Sequence, residues 1–207
     1  MTKIRTLAGI TLLSIALLGV AACSDGGATG TTPSSGSASS TSPAAQGERA
    51  PQVADPLDPA GLVDHPCESL SAEQLSDLGI EGEGKETRVT AGGLKGCDWK
   101  FGANLEWKIQ VSYVVPDSRN GLQNEYDQHA AGLFEGGYFV PTSTGGYPGV
   151  FSNVADTRSQ GRCDLGVGIN DEMLLTVAVT GQAEKDNCRA ASNVAERIIS
   201  TIKAGGH

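Results

Sequence analysis

Five cysteines and three histidines are the side chains with the widest chemical reach in this chain of 207 residues. A cysteine can serve as nucleophile, metal ligand, lipid acceptor or disulfide partner, and its neighbours decide which. Cys67, Cys97, Cys163 and Cys188 are widely spaced, with no C-x-x-C pair and no histidine at a spacing that would complete a zinc site, so no metal is expected. Disulfides are the expected use. Four cysteines permit three pairings. The expected one is Cys67–Cys97 with Cys163–Cys188, in which each bridge ties a helix start to a strand start within its own half of the chain. In the chain-entropy picture each such bridge contributes roughly 3–4 kcal/mol.

Cys23 has a different setting. Lys3 and Arg5 precede an apolar run from Leu7 to Val20, and Val20-Ala21-Ala22-Cys23 follows. This is the three-part layout of an export signal, and its apolar run is too short for a comfortable membrane span. Small residues immediately before a cysteine match the bacterial lipobox. Residues 1–22 are therefore expected to be a lipoprotein signal peptide, and the Cys23 thiol is expected to carry diacylglycerol at the mature N-terminus. Two acyl chains at about 0.8 kcal/mol per buried methylene would make a firm anchor on the extracytoplasmic face of a cell membrane. Losing Lys3 and Arg5 with the signal takes the formal charge from −9 to −11, so lipid and not electrostatics would hold the protein there.

The histidines offer little. His65 lies beside a proline, His207 is the last residue, and His129 follows Glu125 by four residues on an expected helix, where a solvated pair is the ordinary outcome. The chain has no G-x-S-x-G elbow, P-loop, H-E-x-x-H or G-x-G-x-x-G motif, so it offers no catalytic set and no cofactor site. Gly166-Val167-Gly168 reads as small residues on a packed strand, and Asp171-Glu172 as a hairpin turn. A negative net charge with scattered basic residues excludes a nucleic-acid binder, which needs a positive footprint.

Residues 23–60 are dominated by Ser, Thr, Gly, Ala and Pro. They are expected to form a disordered tether reaching roughly 30–35 Å root-mean-square. From residue 61 to 207 one domain is expected. Ser71 and Gln74 form a capping box with Leu70 and Leu75 as its staple, giving a helix near 72–78 stopped at Gly79. Short strands are expected over 88–91 and 97–101. Trp107, Ile109, Val111, Tyr113 and Val115 alternate with polar residues, giving a half-buried strand ended by Pro116. Leu122, Tyr126, Ala130 and Leu133 place a helix over 119–134, stopped by Gly136-Gly137. Alternation over 165–169 and 173–179 predicts an antiparallel hairpin. Ala191, Val194, Ile198 and Ile202 predict an amphipathic helix over 186–203. The sum is an α+β domain, an antiparallel sheet packed with two or three helices.

The block Asp64-His65-Pro66-Cys67-Glu68-Ser69-Leu70, then Gly96-Cys97-Asp98-Trp99, then Cys188-Arg189-Ala190-Ala191, resembles a family of actinobacterial lipoproteins of unknown function. That family's pattern is Asp-Pro-Cys, Cys-x-Trp and Cys-x-x-Ala, and His65 interrupts the first element here. The resemblance implies architecture and address, and it brings no catalytic residue.

Residues 135–151 remain. They hold Tyr138, Phe139, Tyr147 and Phe151, four of the eight Phe and Tyr residues, among five glycines. Such a segment reads either as a crossover whose Tyr and Phe plug the core beside the sheet or as a recognition loop whose rigid aromatics anchor a ligand. Trp99 beside Cys97 is expected to pack on a disulfide. The expected function is non-enzymatic binding of an envelope ligand or protein. Two rivals stand beside it. A cell-wall hydrolase would need a groove with a carboxyl of raised pKa, from Asp98, Glu106 or Glu135. A structural subunit of a membrane complex would need an exposed apolar patch.

Overall fold

The computed structural model describes residues 48–88 and 94–206, all within one compact unit. Seven antiparallel strands form one sheet in the order β1-β2-β3-β7-β6-β5-β4, where β1 is Lys85–Arg88, β2 Lys95–Phe101, β3 Trp107–Val114, β4 Tyr138–Thr144, β5 Tyr147–Asn153, β6 Arg162–Gly168 and β7 Leu174–Thr180. The helices are α1 (Ala60–Asp64), α2 (Ala72–Asp77), α3 (Gln123–Ala130) and α4 (Asn187–Lys203).

Period-two alternation decides which face of the sheet is buried. Register pairs Ile109 with Val179, Val111 with Val177 and Tyr113 with Leu175, and on the other flank Cys163 with Val179 and Leu165 with Val177. These residues therefore share one face. Helix α4 lies on it, along β6 and β7. Its inner stripe of Ala191, Val194, Ala195, Ile198, Ile199 and Ile202 is buried in the same cluster. Each large aliphatic of that stripe contributes about 1.5–3 kcal/mol on burial. Asp186 caps the helix by accepting from the Arg189 amide at 3.0 Å.

The start of the domain docks on α4 through a few polar contacts. The capping box of α2 is present, with Ser71 and Gln74 serving each other. Gly79 at φ +68° closes a Schellman stop, in which Ile80 donates to the Leu75 carbonyl and Gly79 to that of Ser76. Gln74 then bridges to α4, donating to the Arg197 carbonyl and accepting from Thr201 Oγ1. Ser69 and Tyr113 share a buried hydroxyl bond of 2.8 Å, and burial pushes the tyrosine pKa up to about 12.

Both bridges pair as expected, Cys67 with Cys97 and Cys163 with Cys188, each with Cα atoms 5.0 Å apart. Trp99 is buried, and a Cβ on Gly84 would lie 2.4 Å from Cys97 Sγ and 2.8 Å from the Trp99 ring, so the indole and the cystine are covered by one glycine.

Four expectations change. The supposed loop 135–151 is largely the β4–β5 hairpin. Gly145 and Gly146 form its two-residue turn, both at positive φ, as a tight hairpin with the strands' own twist requires. Helix α3 ends at Ala130, followed by Gly132 at φ +82°, and not at Gly136; Ala130 and Leu133 are exposed while Leu122 and Tyr126 are buried. The first strand is Lys85–Arg88, earlier than expected, and the rest of 88–91 lies outside the described residues, as does His207. The domain also begins before Gly61. Leu57 is buried in the main core and its amide donates to the Ile169 carbonyl at 2.7 Å, while Ala50 donates to Gln123 Oε1. Val53 and Leu57 supply the apolar area, and Pro51, Pro56 and Pro59 lower the entropy lost on ordering. The Cys23 end of the expected tether lies outside the described residues.

Replacing Cys163 and Cys188 together by alanine should cost about 3.5 kcal/mol by loop-closure entropy. Chemical denaturation at matched conditions checks this; an unchanged midpoint would mean that the bridge contributes nothing.

Candidate functional site

The face of the sheet opposite α4 is covered only at one end. There α3 places Leu122 and Tyr126 against Val150 and Leu174, with Phe139 and Val114 alongside. Phe139 meets Tyr126 edge-on at 5.0 Å and stacks on the His129 ring at 4.1 Å. Beyond α3 the even-numbered positions of four strands line a hollow. Gly96, Ser112, Thr176 and Gly166 stand side by side on β2, β3, β7 and β6, all small, and they floor a trough of about 270 Å³.

A row of charged and amide side chains walls one side. Lys108 Nζ lies 2.9 Å from Asp98 Oδ2, and Gln110 Nε2 donates to Asp98 Oδ1 at 3.2 Å. Arg162 Nη1 donates to Gln110 Oε1 at 3.3 Å diagonally across β7, on which Gln110 is in register with Ala178 and Arg162 with Thr180. Arg162 also grips Asp164 with two nitrogens, Nε at 3.0 Å and Nη2. Asn153 Nδ2 donates to Asp164 Oδ2 at 2.8 Å, and Tyr138 Oη accepts from the Asp164 amide at 2.9 Å. On the α3 side of the trough, Ser152 Oγ donates to Glu125 Oε2 at 2.9 Å. Burial raises the Glu125 pKa from its ordinary 4.5, and the serine bond offsets part of that rise. Ser112 and Thr176 hydroxyls bond to each other at 2.7 Å.

The expected recognition aromatics are elsewhere. Tyr138 and Tyr147 are buried within strands, Phe151 packs on the main core, and Phe139 belongs to the α3 cluster. Lys203 Nζ sits 4.9 Å over the Tyr147 ring and Arg158 lies 4.3 Å over that of Tyr138. Hairpin geometry explains this, since residues 138, 140, 142 and 144 alternate faces with their neighbours and leave no free loop. Three cavities stand out, and none is lined by these four residues: the trough, a polar cleft between residues 49–53 and α3, and an apolar groove of about 320 Å³ beside Phe101, Trp107 and α4.

The acids singled out from sequence do not converge. Asp98 is in the trough, but Glu106 is exposed in the β2–β3 turn, where the amides of Glu106 and Asn104 lower its pKa, and Glu135 follows α3. The carboxyl with a raised pKa is Glu125, which the sequence assigned to a pair with His129. Asp98 and Asp164 are separated by three strand spacings of about 4.8 Å, or about 14 Å, too wide for a hydrolytic carboxylate pair at about 5–10 Å. Among the described residues no group of three His, Cys, Asp or Glu side chains could hold a metal, and Asn170 Oδ1 instead organises the Asp171-Glu172 turn by accepting from Glu172 and Met173 amides.

The fold and this site define a disulfide-bridged α+β domain with a polar trough on an open sheet face. Over residues 18–201 the chain matches the family described as protein of unknown function (DUF3558), and it belongs to that family. No curated protein and no solved structure matches it.

Glu125→Gln keeps an acceptor for Ser152 and removes the titration. Because the folded-state pKa is raised, the folded chain holds its proton longer than the unfolded chain, so wild-type stability falls as pH climbs above 4.5 towards the folded value. Melting temperatures measured across that interval should converge at the acid end and favour Glu125→Gln increasingly above it. Parallel curves would show that Glu125 ionises freely.

Proposed function

We propose that this protein is a cell-envelope lipoprotein, anchored through diacylglycerol on Cys23, whose domain stands outside the membrane and binds a ligand or protein partner without transforming it. One observation carries the reading: two cystines in a chain that also holds a signal-like segment ending in Val20-Ala21-Ala22-Cys23. Cystines form and persist in oxidising compartments outside the cytoplasm. A thiol preceded by small residues after a short apolar run is what a lipid transferase and its peptidase would act on. Family membership over residues 18–201 takes in Cys23 together with the domain, which agrees with one functional unit.

Binding is favoured over hydrolysis because the trough's acids are committed to neighbours. Asp98 is held by Lys108 and Gln110, Asp164 by Arg162 and Asn153, and Glu125, the acid of raised pKa on the α3 side, accepts from Ser152. Such a network fixes side chains in place, which suits recognition.

Cys23→Ala should shift the protein from the membrane fraction to the soluble fraction and abolish incorporation of a fatty-acid probe. Retention on membranes, or labelling of the variant, would refute the anchor.

A further inference from the structure

We propose that the trough on the open sheet face is a binding site for a short neutral saccharide. This deepens the reading of a binding domain by naming its surface and ligand class. The argument is one of matching unused hydrogen-bonding capacity. Arg162 keeps one hydrogen on each terminal nitrogen, Gln110 keeps a second amide hydrogen, and the carboxylates of Asp98 and Asp164 keep lone pairs. The Ser112–Thr176 pair and Ser152, whose hydrogens are engaged with each other, the Ser112 carbonyl and Glu125, add hydroxyl oxygens that accept. Donors and acceptors are thus interleaved along one wall, over a floor of small residues. A ligand hydroxyl is both donor and acceptor, so a ring bearing several of them meets this mixture from any direction.

Other ligand classes fit poorly. Arg162, the one cation among the described residues that line the trough, is already paired with Asp164, which leaves no free positive charge among them for a phosphate or carboxylate ligand. The same pairing neutralises Asp164 towards a cation, and Lys108 neutralises Asp98. An added peptide strand needs an open sheet edge, whereas β3, β7 and β6 each lie between two neighbours and spend their backbone groups on them. The length also agrees: the floor from Gly96 to Gly166 crosses three strand spacings, about 14 Å, which suits a short chain of rings over a single one.

Gly166 supplies the test. A Cβ there would come no nearer than 3.8 Å to Leu174 and 4.0 Å to Val150, so the side chain of Gly166→Val starts at ordinary contact distance, adds bulk to the floor of the trough and removes none of the wall's groups. The full chain in mild detergent is titrated calorimetrically with unbranched trimers to pentamers of glucose, galactose, mannose and arabinose, and with a trimer of galacturonic acid as the acidic arm. Wild type is expected to bind at least one neutral series. Gly166→Val should weaken that binding at least tenfold while melting within a few degrees of wild type, Asp164→Asn should weaken it similarly, and the acidic trimer should bind at least tenfold more weakly than its neutral counterpart. Binding that is undiminished in Gly166→Val overturns the site, and failure of wild type to bind any neutral series overturns the ligand class. Either failure leaves the anchored-lipoprotein reading standing, because that reading fails separately, on acylation at Cys23.

Discussion

Helix α4 covers one face of a sheet that has two, and most of what the molecule presents follows from that imbalance. Strand side chains alternate, so every residue committed to the α4 side fixes its neighbours on the other side. Ile109, Val111 and Tyr113 are buried under the helix layer, which obliges Lys108, Gln110 and Ser112 to face outward. Helix α3 is too short to roof the second face, and the strands answer by carrying polar and small residues where no roof exists. The trough is the remainder of this division.

The side chains in that remainder are organised because register brings together residues far apart in the chain. Asp98 and Gln110 meet across one hairpin, but Gln110 and Arg162 meet diagonally over β7, which carries alanine opposite Gln110 and Asp164. A larger residue at 178 would stand between them. The wall therefore depends on a small side chain as much as on the charged ones, and its ionic members are half-buried, with Asp98 only 15% exposed, where water weakens them less.

Local signals were legible and collective ones were not. The capping box at Ser71, the glycine stop at Gly79, the alternation over 107–115 and the stripe of α4 each involve neighbours within a few residues, and each element formed close to where its pattern lies. The cystine pairing was legible from locality. The β4–β5 hairpin is obscured because Pro141 and Pro148 interrupt its strands and because its glycine and aromatic content is that of a loop, although Gly145-Gly146 between Thr144 and Tyr147 is itself a hairpin signal. Composition averaged over 24–60 hid Val53 and Leu57. Glu125 was assigned to its helix neighbour His129 because spacing along one helix says nothing of Ser152 on a strand that packs beside it.

The bridge from Cys67 to Cys97 also sets how the molecule would respond to a mechanical load applied from its amino-terminal side. Traction would first peel the Ala50 and Leu57 contacts and then unwind α1, and it would stop at Cys67. Beyond that point the covalent link delivers tension straight into β2, inside the sheet, bypassing α2 and β1. Of the described residues, only 48–66 would be drawn out before that point, at most about 65 Å at roughly 3.4 Å per residue, and the load would then reach the sheet between Gly96 and Asp98 of the trough.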